Sequence, residues 1–451
     1  MDSPSFMGNE ISQKQKHSIE YTAQAVSPIV NGEVKLTIGK NSFTAAALFD
    51  TVEIAFSEVN ELILADYIVT VKADSGDYTF SRLGNWCKPF YDALSDSYNK
   101  AVLRSLFING EPIITARGEY WFTEAEHTTA PATAGPTVQM NVAGAVPVFV
   151  FDNNVTILPP NLSARRVPLC FVTGMEKSDF ELTLKLDKGA SYTCAKLGYD
   201  MAPFADAVEK QIRKLREKTL TALKEIDATL TATQASQLAK LMPLGAAAPI
   251  GRIAGIAPSF IEALENKIKA TRAVESYGVF KELTDYTRIW LGFTEHENRK
   301  PAIDTEGSSD GNSTEVSPNN SELLVFDSQV SAVENDQVAD PYLIWLIVPS
   351  PDEKYAAVEF MATDSATFLY RTGGDFPGFA DRLNRALEAI CFRREVIRLT
   401  DAEMRKPENA DYFMASKRTS ALRLIRAGYT GRIIHSGVEA WKRKLIEMWS
   451  I

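Results

Sequence analysis

The side chains best able to hold a metal ion or begin a reaction are few here: four histidines and four cysteines in 451 residues. His127 and His296 each follow a Thr-Glu pair, with Glu124 and Glu126 near the first and Glu295 and Glu297 beside the second. A metal centre needs three or four such ligands converging in space, and polar residues entering a spacer account for both groups without one. The other two histidines are His17 and His435. Cys87, Cys170, Cys194 and Cys391 form no C-x-x-C pair. Cys170 and Cys194 fall in apolar strand-like runs, where a free thiol behaves as a small apolar side chain. No G-x-S-x-G, H-E-x-x-H or P-loop spacing occurs, so no nucleophile or general base can be named. The stretch from Gly245 to Gly255 has the glycines of a phosphate loop but lacks its G-K-[ST] ending, and tight turning between helices explains it. The chain is expected to be no enzyme and to need no cofactor or metal.

Cationic chemistry is the remaining possibility. Arg165 and Arg166 follow a Pro159-Pro160-Asn161 turn, and residues 391–451 carry 13 Lys or Arg against 7 Asp or Glu. Near an anionic membrane each such residue is worth about 1 kcal/mol. Glu395, Asp401, Glu403, Glu408 and Asp411 interrupt the basic series, so the tail reads as solvated helix faces, some paired with the acidic remainder. The net charge of −10 argues against general nucleic-acid binding.

These residues must be positioned by a stretch that occurs three times. Residues 78–94, 192–208 and 367–383 share Gly84, Phe90, Asp92 and Leu94; Gly198, Phe204, Asp206 and Val208; and Gly373, Phe379, Asp381 and Leu383. A basic residue, Arg82, Lys196 or Arg371, stands two before each glycine. Before the glycine the apolar period is two, as in a strand. After it, apolar residues recur four, eight and eleven positions beyond each Phe, which is one face of an amphipathic helix. Each unit is therefore a strand, a glycine turn and a helix laid on a sheet, with Phe90, Phe204 and Phe379 in equivalent buried places. The shared Asp is expected in the helix's first turn, opposing the dipole.

Upstream, Val69 and Val71 precede an Asp74-Ser75-Gly76 turn as Leu182 and Leu184 precede Asp187-Lys188-Gly189. Short strands are expected at 34–39, 43–49 and 51–56, and again at 147–152, 154–159 and 166–172. Many short antiparallel strands closed by one amphipathic helix resemble the pleckstrin-homology-like (PH-like) superfamily, over most of 20–106, 116–228 and 286–397. The resemblance implies small bent barrels, each with a helix at one end. It also implies two binding modes. Relatives that bind phosphoinositides use basic residues on early strands, which would be Arg165 and Arg166. Relatives that read peptides add an extended segment at a strand edge, which would be Val52 to Phe56 and Val167 to Val172.

At 451 residues there is room for about three domains. The expected layout is α+β: a tail at 1–17, PH-like units at 18–112, 113–228 and 286–397, a helical insert at 229–285, and a helical basic extension at 398–451. The helical hairpins attach to the second and third units. The spacer 128–137 and the acidic 297–321 are expected as loops within units, the latter disordered. Cysteine usage fits a reducing cytoplasm, and no apolar run approaches the roughly 20 residues of a spanning helix. The expected function is a non-catalytic scaffold or adaptor for protein partners. The alternatives are a peripheral anionic-lipid binder and an enzyme whose site only folding assembles.

Overall fold

A computed structural model describes residues 20–108, 110–124, 137–271, 273–295, 341–361 and 366–450. Its first sheet holds β1 (Glu20–Val26), β2 (Gly32–Ile38), β3 (Ser42–Ala46), β4 (Thr51–Ala55), β5 (Val59–Ala65), β6 (Ile68–Ala73) and β7 (Gly76–Ser81). Helix α1 (Cys87–Ser105) follows. The second holds β8 (Ile114–Glu124), β9 (Thr137–Val150), β10 (Asn154–Ile157), β11 (Arg165–Pro168), β12 (Val172–Lys177), β13 (Glu181–Leu186) and β14 (Ser191–Ala195), followed by α2 (Met201–Ile226). Both are antiparallel and share one strand order, β4-β3-β2-β1-β7-β6-β5 and β11-β10-β9-β8-β14-β13-β12. The strands of the first sheet alternate: Tyr21, Ala23 and Ala25 are buried in β1, whereas Glu20, Thr22 and Val26 face out; in the second sheet β10 is buried throughout and β14 nearly so. The first sheet thus has one wet face, and in both units the other face packs on the unit's own helix.

The glycine opening each repeat has positive φ: 56° at Gly84, 60° at Gly198 and 72° at Gly373. That left-handed turn swings the chain off the sheet and back across it, which a β-carbon would oppose. Phe90, Phe204 and Phe379 are all buried, with Leu94, Tyr98 and Ala101 continuing the face in α1. The shared aspartate is not in the first helical turn. Short 3-10 turns at Gly84–Trp86 and Gly198–Asp200 carry the chain into the helices, which start three residues before each Phe. The aspartates lie a turn further on and act as ion-pair partners instead. Asp92 meets Lys88 at 2.6 Å, Asp206 meets Lys177 at 3.3 Å and Asp381 meets Lys188 at 2.9 Å.

Beyond α2 come α3 (Ala232–Leu241), β15 (Ala247–Pro249), α4 (Ile250–Ile256), α5 (Pro258–Lys269) and α6 (Val274–Leu283). The third sheet continues with β16 (Trp290–Glu295), β17 (Tyr342–Pro349), β18 (Tyr355–Phe360) and β19 (Ala366–Arg371), and α7 (Phe376–Ala389) follows. Helices α8 (Glu395–Arg398), α9 (Asp401–Met404), α10 (Ala410–Arg418) and α11 (Ser420–Gly428), strand β20 (Tyr429–Ile434) and α12 (Val438–Trp449) complete the chain. This sheet runs in plain sequence order from β15 to β20, so it shares the strand-glycine-helix stretch with the others but not their strand order.

Both faces of the third sheet are covered. Ile344, Leu346 and Val348 of β17 join the core under α3 to α6 and α12. Leu343, Trp345 and Ile347 join the core under α7, α8 and α11. All eight residues of β17 are therefore buried. Gly292 fits beneath Trp345, because a β-carbon there would lie 2.4 Å from the indole. The two outer strands come from segments that read as helical: β15 pairs with β16, and β20 with β19. The triplet Gly-Arg-Ile occurs at 251–253 and again at 431–433, yet the first copy lies in α4 and the second in β20.

Strand β8 pairs with β9, and β16 with β17, so the segments between them are insertions within a sheet. Residues 125–136 and 296–340, with the disorder expected at 297–321, lie outside the described residues, as do the 1–17 tail, His17, His127 and His296.

Candidate docking sites and the cleft between units

The four positions singled out as ligand or partner candidates lie between the start of β11 and the start of β12. Arg165 stacks its guanidinium over the Phe122 ring at 4.6 Å. Arg166 is only 3% exposed. Its Nη1 donates to the Glu388 carboxylate at 2.5 Å and to the Glu388 carbonyl at 3.1 Å. Burial opposes its charge, and the Glu388 carboxylate more than restores it. Val167 and Val172 are buried. This placement offers Arg166 to a neighbouring helix rather than to a lipid headgroup. The segment 167–172 is also not one edge strand. It ends β11 at Pro168, turns through a 3-10 turn at Leu169–Phe171 and starts β12, at the opposite end of the strand order. Proline supplies no N–H to extend the ladder.

Helix α7 is held by more than Arg166. Arg385 bonds the Asp187 carboxylate and carbonyl and lies 4.0 Å over the Phe171 ring. Lys188 reaches Asp381 in return. Burial pushes the Asp187 carboxyl above its usual range, with Arg385 opposing the shift.

The first unit receives α10 in the same manner. Lys417 donates to Asp74 at 2.6 Å and to the Ser57 carbonyl at 3.2 Å, beside the 3-10 turn Phe56–Glu58. Asp74 and Asp187 hold matching places in the repeat, so each sheet uses its turn aspartate to capture a basic residue from a C-terminal helix. The two sites differ in one respect. Arg418 is buried and donates only to the Tyr98 hydroxyl, and its Nε and Nη1 have no partner among the described residues. Burial therefore holds its ionisation down. Met414 enters the first unit's core together with Phe151, Leu158 and Ala164 of the second unit. On the far side Leu62 N–H donates to the Pro160 carbonyl at 2.8 Å, so the Pro159-Pro160-Asn161 turn abuts β5. The basic residues of the tail thus include several that join units.

Two features remain open. At the β3–β4 turn, Leu48 is 85% and Phe49 91% exposed. Pairing of Lys35 with Ala46 and of Ala25 with Gly32 places this turn beside the 27–31 loop, where Val26 and Ile29 are also exposed. Elsewhere, a cleft of about 350 Å³ opens between the second and third units. Its walls are Arg166 and Cys170 by β11, Leu215, Lys218 and Thr219 of α2, Leu244 and Gly245, Thr294 and Glu295 of β16, Leu343 of β17, and Glu388, Cys391, Phe392 and Arg394 around the end of α7. Burial pushes the Cys170 thiol up, away from nucleophilic duty.

One polar group that sequence reasoning missed lies under α12. Glu359 is buried and accepts from Ser276 Oγ and from Thr367 Oγ1, the latter at 2.7 Å. Thr367 spends its one hydrogen there, so its lone pairs face Trp441 Nε1–H and His435 Nε2, each 2.9 Å away. The network clamps α12 and β20 to the sheet. Its bonded pairs are 8 to 83 residues apart, too scattered for any motif. Among the described residues no group of three or more potential metal ligands gathers, Cys87, Cys170 and Cys194 are free thiols, and no helix is long and apolar enough to cross a membrane.

Comparison with known proteins adds little. No family model matches the chain, and no curated protein matches it. Among solved structures, a chain described as "Structure of the Spt16D Pob3N heterodimer" is similar at 12% identity, covering 37% of this chain and 85% of that one. Its TM-score is 0.13. What stands is an α+β chain of three antiparallel sheets with twelve α-helices among the described residues.

Proposed function

We propose that this protein is a non-catalytic cytoplasmic scaffold built on tandem PH-like units, and that it takes its protein partner at the open end of the first sheet. The PH-like reading is supported by the strand order common to the first two sheets and by the buried Phe of each closing helix. The third unit shares only the strand-glycine-helix stretch. The partner reading rests on a single observation, the outward-facing Leu48 and Phe49 with Val26 and Ile29 beside them. Large apolar side chains grouped on a surface mark interaction sites. Charge selects the kind of partner. Residues 20–108 hold 7 Lys or Arg against 11 Asp or Glu, which favours a protein with a basic rim over an anionic lipid. The equivalent end strand of the second sheet, β11, already packs on α7 and serves within the chain.

The test is quantitative affinity capture with the full chain, wild type against Leu48→Asp with Phe49→Asp. The expected result is a partner lost from the double variant while the thermal midpoint stays unchanged. Sedimentation with phosphatidylserine vesicles at physiological salt is expected to be negligible. Capture that is identical for both proteins would sink the assignment, and strong, salt-sensitive sedimentation would replace it with lipid binding.

A further inference from the structure

We infer that the solvent face of α2 is a docking surface for an acidic polypeptide, and that its occupant is the chain's own residues 301–340. The contact is separate from partner docking at the first sheet. Lys210, Arg213, Lys214, Arg216, Lys218 and Lys224 of α2 are all exposed, and Glu217 is the one carboxylate among residues 210–224. From Lys210, residues Lys214, Glu217 and Lys224 follow at four, seven and fourteen positions, so they share one face of the helix. Phe204, Val208, Ile212 and Leu223 are buried on the opposite face. Arg213 is paired with Glu209 at 3.0 Å and Lys218 with Glu295 at 2.8 Å. Lys210, Lys214, Arg216 and Lys224 have no carboxylate partner among the described residues. In a chain of net charge −10, this helix carries the opposite sign.

The point where the acidic segment leaves the third sheet selects the occupant. Residues 296–340 join β16 to β17 and lie outside the described residues. The last pair of that ladder is Glu295 with Tyr342, and both side chains meet α2. Glu295 bonds Lys218, and the Tyr342 hydroxyl donates to Glu225 at 2.6 Å. Both ends of the segment therefore start from the helix that carries the uncompensated cations. Residues 301–340 hold nine Asp or Glu and no Lys or Arg, which complements that face. Reach sets no limit. Lys210 and Lys224 stand about 21 Å apart along the helix axis, a distance that about seven extended residues cover. An exposed ion pair contributes little singly. A polyanion tethered beside its target meets it at a far higher effective concentration than a free one, so several weak pairs act together.

The experiment is carbodiimide cross-linking of the full chain, which joins carboxylates to amines in contact with them, read by mass spectrometry. Cross-links from carboxylates of 301–340 to Lys210, Lys214 and Lys224 are expected. They should fall by about threefold or more when added salt shortens the screening length from about 30 Å to about 3 Å. Lys214→Glu with Arg216→Glu reverses the middle of the face but keeps the amines of Lys210 and Lys224. Cross-links to those two should drop by about threefold or more, while the thermal midpoint stays unchanged because both substituted side chains are exposed. The salt series uses the unaltered chain, so it decides the matter even if the variant fails to fold. Mixing chains labelled with heavy nitrogen and unlabelled chains separates a chain's own segment from its neighbour's. Hybrid cross-links would give the face to a second copy and overturn the assignment. Absence of cross-links to all three lysines overturns it too, as do cross-links that high salt, or the folded double variant, leaves unchanged.

Discussion

The first two sheets and the third solve one packing problem in two ways. All three receive a helix after a glycine turn, with a buried Phe at its start. In β1, EYTAQAV, alternate residues reach water; in β17, YLIWLIVP, none does. The first sheet covers one face and the second buries both faces only at β10 and β14, whereas helices on both sides enclose the third. The strand-glycine-helix stretch works in either setting because it asks only for one apolar sheet face. What lies on the other face is set by the rest of the chain. The docked helices differ too. Helix α7 meets the second unit through carboxylate-paired arginines, while α10 buries Arg418 in the first against a neutral tyrosine.

The sharpest way to break this comparison is to empty the cores. Trp345→Ala, Phe90→Ala, Phe204→Ala and Phe379→Ala should each cost about 3–5 kcal/mol in urea unfolding. A cheap Phe379→Ala would mean that the third unit's helix is held by something other than the shared face. Next come the docked helices. Glu388→Ala leaves Arg166 charged and buried, at a cost of about 3–5 kcal/mol. Arg418→Met replaces an already uncompensated charge and should be neutral or stabilising by up to about 4 kcal/mol. Equal losses from both would erase the distinction between the sites.

Neighbouring residues sharpen the contrast between strands. Leu346→Ala and Ile347→Ala should both be costly, at about 2–5 kcal/mol. In β2, Leu36→Ala should cost as much, while Lys35→Ala stays within about 0.5 kcal/mol. The smallest effect concerns acid. Burial would raise the Glu265 carboxyl, but bonds from Tyr277, Tyr286 and Lys281 outweigh it and hold the carboxyl below its usual range. A depressed carboxylate stabilises the fold above its unfolded value, near about 4.3, and loses that contribution as pH falls through the lower folded value. Hydrogen exchange should therefore show α5 and α6 loosening in that acid range, and Tyr277→Phe should move the onset upward. The first two sheets have no such helical layer, and their amides should not follow Glu265.

The repeat was legible because its signals are local. A period of two, a glycine and a period near 3.6 are properties of adjacent residues, and they placed the strands and the buried Phe face. The end strand β4 at 51–55 lies close to the expected 52–56, but the expected edge at 167–172 was not legible, because it spans the end of β11, a 3-10 turn and the start of β12. The helix starts were not, because the 3-10 turns at 84–86 and 198–200 advance them without altering the apolar pattern. Strands β15 and β20 were hidden for a different reason. Three or six residues between helices carry little strand preference of their own, and they became strands only by pairing with β16 and β19. Arginine types also mislead when read singly. Arg166 and Arg418 suit a surface by composition, yet partners 222 and 320 residues away bury them. The amino-acid order alone settled which segments prefer sheet or helix, since that preference acts over a few bonds. The tertiary structure decided which edges are spent within the chain and which charges lose water, because both depend on residues that meet only after folding.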